Sequence, residues 1–522
     1  TIKMKKIFIT IFTLVSTVVM STAQTSNFCG TTEFAPIAAR LKANKALLAK
    51  NPVQEREVKW VPMKFHIISK SDGTGAVQEH RVLDMLCGLN EFFAPLDIQF
   101  YIKDGFNYFS NTAAATDPQS AGGTTQMKAK KVKNVVNVFL PQSFTKPGLL
   151  GYYTEGYPGY QNDFLVVKKS QVGKGIYTIE HEIGHFFSLL HPFNGWEDND
   201  YDPSVHGNPV KILTAPNFSL DPPFNAVPVE FVDQTNCEIA GDLICDTPAS
   251  YNFANNYWGA KGCQPMDQSV KDYHGDVVNP DEENLMDYFN GCASYHLSPT
   301  QANLVKTDLT TRFATFGPQK LNGGYVPTAD LVTSKVTAPN PAHQQTISNF
   351  GDIKLDWEDV PGATHYFVML DVTSSFSFKP VSQIVTKSEW TATGLAKNKK
   401  YNWLVYPYNE RSTCVGPAVF EFTTGSWAVS TTEIKELDKW TLQPNPAISG
   451  MDVMINATTI DKFNASVCVM DITGKILHTQ SDVHFFAGDN TVKISTDNLA
   501  SGMYIVQIKS LSGVSTKKLV IE

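Results

Sequence analysis

Between residues 181 and 191 the chain reads His181-Glu182-Ile183-Gly184-His185-Phe186-Phe187-Ser188-Leu189-Leu190-His191. Helical residues four apart share a face, so His181 and His185 can aim two imidazoles at one ion. Glu182 sits one position round. There it can take a proton from an attacking water without being a ligand. His191 follows His185 by six residues, and a continuing helix would carry it to the wrong side. The helix must therefore end near Ser188 and the chain turn back. Three neutral imidazoles leave one position of a tetrahedral zinc open, which is the arrangement of a catalytic site. The competing reading is unrelated core or surface histidines. With only 12 His in the chain, HExxH followed by a third His at that offset is rare by chance.

The elements that must hold these residues follow from periodicity. Residues 61–68, 98–102 and 135–140 read as strands. Residues 77–93 read as an amphipathic helix, with Val82, Met85, Leu86, Leu89 and Phe93 on one side. Residues 104–130 are polar and Gly-rich, which predicts a loop. Residues 176–190 are helical, and 192–280 are loop-like, rich in Asn, Asp, Pro and Gly; loops this long are usually functional. Ser298-Pro299-Thr300-Gln301 forms a capping box with Pro at the first helical position, opening a helix to about Phe313. Residues 317–345 suit a linker. Beyond it, short strands with turns about every ten residues predict two β-sandwiches, 346–426 and 434–522.

At 522 residues and ~150 per domain, three or four domains are expected. Hydrophobic residues make up 42% and charged residues 18%, with a net charge of -8. The first figure supports packed cores; the last disfavours nucleic acid and anionic lipid as partners. Met4-Lys5-Lys6, an apolar run over 7–20 and Ser21-Thr22-Ala23 read as a secretory signal, 1–23. No later stretch is long and apolar enough to span a membrane, so a soluble mature protein is expected. All eight Cys lie beyond the signal, in what should be an oxidising compartment. Cys237, Cys245, Cys263 and Cys292 cluster, and the residues leave three connectivities open. Residues 24–55 look like a separate, removable segment.

The histidine stretch resembles the metzincin metallopeptidase signature HExxHxxGxxH, with Ser188 in place of Gly. Gly normally supplies the positive φ of that turn, so Ser there should cost ~1 kcal/mol of strain. Asn284-Leu285-Met286-Asp287-Tyr288, followed by Cys292, is similar to the Met-turn of the pappalysin, or ulilysin-like, family. The resemblance covers about 56–316. It implies an α+β catalytic domain, with a twisted mixed sheet and helices over a loop-rich lower lobe. It implies that Met286 forms the apolar base under the zinc and that Tyr288 hydrogen-bonds the oxyanion. Gly241-Asp242-Leu243-Ile244-Cys245-Asp246-Thr247-Pro248 resembles a calcium-binding segment. There Asp242, the Ile244 carbonyl and Thr247 would hold Ca2+, although Ala249 stands where a further acidic ligand is often found. The family pattern suggests Cys237–Cys263 and Cys245–Cys292 bridges. Cys29-Gly30-Thr31 is similar to a cysteine switch, with Cys29 blocking the water position; a Cys29–Cys87 bridge or a free thiol is the alternative. Processing is expected between Asn51 and Lys59. Relatives that prefer Arg at P1′ place an acid just before the Met-turn cysteine. Here Asn290-Gly291 stands there and Asp287 is expected to point elsewhere, which implies no strong preference for Arg.

Residues 346–426, with Trp357, a 401–409 aromatic strand and a Pro361-Gly362 turn, resemble a fibronectin type III module. Residues 434–522 resemble the type IX secretion sorting domain, on Leu442-Gln443-Pro444-Asn445-Pro446, Val469-Met470-Asp471-Ile472-Thr473-Gly474-Lys475 and the terminal Lys518-Leu519-Val520-Ile521. These resemblances imply a zinc endopeptidase made as a latent proenzyme and exported through the periplasm across the outer membrane. Its partners would be protein or peptide substrates and the type IX machinery. The alternative is a surface adhesin on a degenerate peptidase fold, which the intact His181, His185, His191 and Glu182 disfavour.

Overall fold

The computed structural model describes residues 29–522 apart from 33, 52–56, 156–162, 198, 217–226, 254–262, 264–268, 290, 315–319, 430–433 and 511–512. The signal expected over 1–23 and most of the expected processing stretch lie outside the described residues. The chain is mixed α+β. It forms two compact units: the first runs to Leu331 and includes Asn409–Cys414, and the second comprises Val332–Tyr408 and Val415–Glu522.

The first unit is built on β1 (Lys59–Ser69), buried on both faces over most of its length, as a central strand of a parallel sheet should be. Strands β2 (Ile98–Ile102) and β3 (Asn107–Ser110) run parallel to its first and second halves. On the other side come β4 (Val136–Leu140) and then β6 (Phe164–Val167), both parallel. The outermost strand, β5 (Gly151–Thr154), is antiparallel to β6. Helix α2 (Glu79–Phe93) buries Val82, Met85, Leu86, Leu89 and Phe93, the expected face. It is fastened to β2 by Asn90, whose amide donates to Phe100 O (3.0 Å) while its Oδ1 accepts from Phe100 N (2.6 Å).

The expected loop over 104–130 contains β3 and two helices, α3 (Thr112–Thr116) and α4 (Ala121–Lys130). Their apolar content is too small to show a period. Instead they start at side-chain caps: Asn111 Oδ1 accepts from Ala114 N and Ser120 Oγ from Gly123 N. Helix α5 (Thr178–Phe186) carries the histidines, and α7 (Pro299–Ala314) opens on the expected box, with Ser298 Oγ accepting from Gln301 N and Gln301 Oε1 from Ser298 N. The N-terminal segment 34–50 is helix α1 (Phe34–Lys50), packed on α7. Between 192 and 280 the described helix is α6 (Pro203–His206), and an aromatic core including Phe193, Trp196, Tyr201 and Tyr251 holds the loops.

The disulfides differ from the family-based pairing. Cys237 joins Cys245, and Cys263 joins Cys292, with Cα atoms 5.1 and 4.7 Å apart. Tight turns over 234–243, with Ala240 N bonded to Asn236 O and Leu243 N to Ala240 O, fold Cys237 back onto its near neighbour. Cys87 joins Cys414, and Cys29 is left unbridged, so a Cys29–Cys87 bond does not form.

The 317–345 stretch is not a bare linker. Leu321 is buried in the first unit, where Tyr325 also stacks on Tyr101. Val332 and Val336 belong to the core of the second unit's first sandwich. That sandwich pairs a five-stranded sheet with a three-stranded one. The first holds β7 (Gln345–Thr346), β9 (His365–Asp371), β10 (Val381–Val385), β12 (Lys400–Tyr408) and β13 (Ala418–Thr423). The second holds β8 (Asn349–Asp356), β11 (Glu389–Leu395) and β14 (Trp427–Val429). Leu355 and Trp357 from one sheet side meet Val368 and Trp403 from the other. Residues 437–521 form a second sandwich of three- and four-stranded sheets, around a core that includes Val453, Ile455, Val467 and Val506.

Candidate metal centre and active site

Helix α5 places His181 and His185 one turn apart. Its close approach to the 284–288 turn depends on Gly184, where a Cβ would run into Met286 Sδ. Met286 is fully buried; its amide donates to Asn284 Oδ1 (3.0 Å), and Asn284 is held in turn by Gln301 of α7. The helix stops where the return of His191 requires. Ser188 takes φ +71°, its N–H bonded to His185 O and that of Leu189 to Gly184 O, and the reversed chain brings His191 back to the other two.

The three rings converge: His191 Nε2 lies 3.2 Å from His181 Nε2 and 3.0 Å from His185 Nε2. The outer nitrogen of His181 faces Leu285 O at 2.8 Å, and that of His185 faces Leu189 O at 2.8 Å. Carbonyls only accept, so both Nδ1 atoms carry the proton and both Nε2 atoms point lone pairs at the centre. Burial keeps all three rings neutral: it lowers His181 to about 4 and holds His185 and His191 well below the ordinary imidazole value, the latter two also by neighbouring rings. Lone pairs this close, unprotonated and out of water, repel unless a cation sits among them. The donor set fits zinc. Cys29 Sγ completes the cluster, all four ligand atoms lying within 4.8 Å of one another.

Glu182 lies beside this centre. Burial raises its carboxyl to about 8. Its Oε2 accepts from Thr31 Oγ1 at 3.3 Å and from Cys29 Sγ at 3.5 Å. Burial, then the Glu182 charge, pushes the Cys29 thiol well above its ordinary value. Residues 29–31 are laid along β5: Gly30 N donates to Gly151 O (2.9 Å) and Tyr153 N to Thr31 Oγ1 (3.0 Å). The Tyr288 hydroxyl donates to Cys29 O at 3.4 Å, and its ring lies 4.8 Å from that of His191.

Sequence reasoning missed several groups that fasten this arrangement. Arg40 of α1 donates to Glu155 (2.8 Å), pairs with Asp308 (3.0 Å) and reaches the Phe186 carbonyl at the end of α5 (2.8 Å). A basic residue in a Lys-rich helix gives no sign that it will be drawn in among acids and carbonyls. Glu197 carries no pattern either, and Thr31 figures only as part of the Cys29-Gly30-Thr31 stretch.

A cavity of about 270 Å³ opens beside Glu182 and His181, walled by Leu150, Ile176, Tyr177, Leu285, Phe289 and Tyr295 among others. Asp287 also belongs to its lining. Its Oδ1 accepts from Tyr288 N (2.7 Å), and burial raises its carboxyl to about 7. Asn290 lies outside the described residues.

In the lower region Asp242 is fully buried. Its carboxylate accepts from Ile244 N (2.9 Å) and Thr247 Oγ1 (2.9 Å), and Thr247 Oγ1 also reaches Ile244 O (2.7 Å). Glu230, not singled out in the sequence, is buried against Gly241, and among the described residues neither of its carboxylate oxygens has a hydrogen-bond donor. Burial raises the proton affinity of both acids, and the Asp242 charge adds to the effect on Glu230.

Comparison with known proteins gives three findings. Residues 441–522 match the secretion system C-terminal sorting domain. An extracellular metalloprotease of Colletotrichum graminicola is 27% identical over 258 residues, 45% of this chain and 84% of that protein. Among solved structures, the fibronectin domains FN1–FN3 of chicken CNTN1 align at 10% identity over 37% of this chain and 69% of theirs, TM-score 0.17. The fn3 domain of human collagen alpha-1(XX) aligns at 17% over 21% and 99%, TM-score 0.15. The sorting tail addresses the chain to the cell surface or exterior. Among the described residues no helix is long and apolar enough to cross a membrane.

Proposed function

We propose that the chain is a secreted zinc endopeptidase of the pappalysin-like metzincin type, made latent by its own N-terminal segment and exported through its type IX sorting tail. The observation that carries this reading is the convergence of His181, His185 and His191 beside Glu182. The metalloprotease relative and the sorting tail support it.

Zinc on the three imidazoles would supply a Lewis acid that polarises the scissile carbonyl and acidifies a water. Glu182 takes the proton of the attacking water and returns it to the leaving amine. Its buried place beside the three imidazoles suits a group that must both accept and donate a proton. The Tyr288 hydroxyl, which now meets the Cys29 carbonyl, donates to the oxyanion when a substrate carbonyl takes that place. Edge strand β5 offers its free side to an extended peptide, as it does to residues 29–31.

Cys29 holds the position that water would need, as a thiolate once zinc is present, and Arg40 and Asn44 fasten the helix behind it. Calcium would be held by Asp242, the Ile244 carbonyl, Thr247 and the added Glu230, an all-oxygen set suited to a hard cation.

The test is zinc content and chelator-sensitive casein cleavage of the processed protein, set against Glu182→Ala. The variant should keep its zinc and lose ~10²–10⁴-fold in activity. Residual activity above a tenth of the parent would remove Glu182 from this role. Zinc without cleavage in the parent would favour a surface binding protein.

A further inference from the structure

His181 and His185 each rest an outer nitrogen on a backbone carbonyl, and both carbonyls belong to well-fixed segments. Among the described residues His191 has no such carbonyl. Its Nδ1 instead faces a side-chain acid, with Glu197 Oε1 at 3.6 Å. Both groups are buried, His191 fully and Glu197 to within 7%. We propose that Glu197 is the positioning residue of the third metal ligand: its carboxylate holds His191 in the Nδ1–H tautomer and the orientation that aim Nε2 at the ion.

The proposal rests on the reading of the three histidines as zinc ligands. Three further observations support it. First, the carboxylate is itself held, since Glu197 Oε2 accepts from Gly195 N at 2.8 Å. Second, the turn that presents it has one shape. Gly195 takes φ +98°, and a Cβ there would lie 2.7 Å from Ala215 Cβ and 3.1 Å from Val227 Cβ. Asn194 N and Trp196 N close successive turns onto His191 O and Phe193 O, and Asn252 clamps Trp196 O. Third, the His191 ring is free to settle only about its own axis, because Phe193 stacks on it at 4.6 Å and 13°.

The chemistry gives the separation meaning. At 3.6 Å the contact is longer than a hydrogen bond. A carboxylate at that range still decides which nitrogen carries the proton, because protonation at Nε2 would leave the Nδ1 lone pair facing a negative charge. The same charge raises the basicity of Nε2 once an ion binds. The three ligands then differ in kind: two are backed by neutral dipoles and one by a charge. Phe34, whose ring lies 5.4 Å from that of His191, belongs to the segment that the proposed processing would remove. Glu197 and Phe193 are downstream of any processing site before residue 59, and so remain to hold His191 in the mature enzyme.

The experiment uses the full chain, stripped of metal and titrated with zinc against a chromophoric chelator. Loss of a partner to a metal-bound histidine typically costs ~10–100-fold in metal affinity, so Glu197→Gln should raise the zinc Kd by that factor and Glu197→Asp by less. Cobalt loaded in place of zinc should show displaced visible bands in Glu197→Gln, while the melting temperature of the metal-free protein stays that of the parent. A purely structural role would lower that melting temperature and leave the zinc Kd and the cobalt bands in place. A zinc Kd within twofold of the parent in Glu197→Gln, with His191→Ala losing zinc, overturns the proposal. If Glu197→Gln does not fold, a parent-like zinc Kd and cobalt spectrum in Glu197→Asp overturn it. A parent that binds no zinc at all removes the peptidase reading together with this one.

Discussion

Asn44 of the N-terminal helix donates to Ser188 Oγ at 3.0 Å, and so holds the left-handed residue on which the turn to His191 depends. The same amide reaches Asp308 Oδ1 at 2.7 Å. A non-Gly residue in that conformation costs roughly 1–2 kcal/mol. A Ser188→Gly substitution relieves the strain but deletes an acceptor worth about 0.5–1.5 kcal/mol in the unprocessed chain. Thermal melts should therefore show a gain of about 1 kcal/mol in the processed form and a smaller one, or none, in the unprocessed form. A larger gain before processing than after would mean that the Asn44 contact contributes nothing.

Latency can be tested at Cys29. Its Sγ shares the cluster with the three imidazoles and contacts Glu182, so under the proposed switch the thiol would stand where the attacking water binds. The unprocessed Cys29→Ala chain should cleave casein at a rate approaching that of the processed parent, or cut itself during purification. A variant as silent as the parent proenzyme would show that helix α1 alone blocks the cleft.

The proposed calcium site at Asp242 and Glu230 can be tested through pH. Both carboxyls have proton affinities raised by burial, so the folded chain binds more protons than the unfolded one above the ordinary carboxylate range of about 4. Stability from these groups is therefore complete below that range and falls as pH rises through the raised folded values. A bound dication reverses the loss by compensating the ionised pair. Calcium should raise the melting temperature by several degrees at pH 8 and hardly at all at pH 5. An equal rise at both values, or none at pH 8, would separate these acids from any calcium site.

The cavity beside Glu182 is mostly apolar, yet Asp287 lines it with a carboxyl raised to about 7. Below that value the wall is neutral and should favour apolar P1′ side chains. Above it the wall holds an ionised carboxylate. Peptide-library profiling at pH 6 and pH 8.5 should show leucine- and phenylalanine-like residues dominant at the first, with Lys and Arg gaining at the second. Asp287→Asn should abolish the gain. A pH-independent profile would place the carboxyl out of reach of the substrate.

What was legible in the sequence follows from where the information is local. The HExxH spacing, the break at Ser188 and the Ser298–Gln301 box are each written within a few residues, and the structure reproduces their geometry. The 104–130 helices were missed because capping by Asn111 and Ser120, not an apolar stripe, starts them. Strands β5 and β6 are four residues each, too short for a period. Cysteine pairing failed for another reason: it depends on how 234–245 folds back, which no spacing encodes. Arg40, Glu197 and Glu230 owe their places to partners more than a turn away or on distant segments, and single residues of common type leave no trace in the chain.

The Cys87–Cys414 bridge joins helix α2 to the segment between β12 and β13, spanning 327 positions of sequence. A protease that cuts anywhere between those cysteines, in the 317–345 stretch for instance, makes two polypeptides and still releases nothing. The product would migrate as one species without reductant and as two with it. To shed its sorting tail while leaving no extra chain attached, the molecule must be cut beyond residue 414, and the freed N-terminal portion then carries strands β7 to β12 with it as cargo.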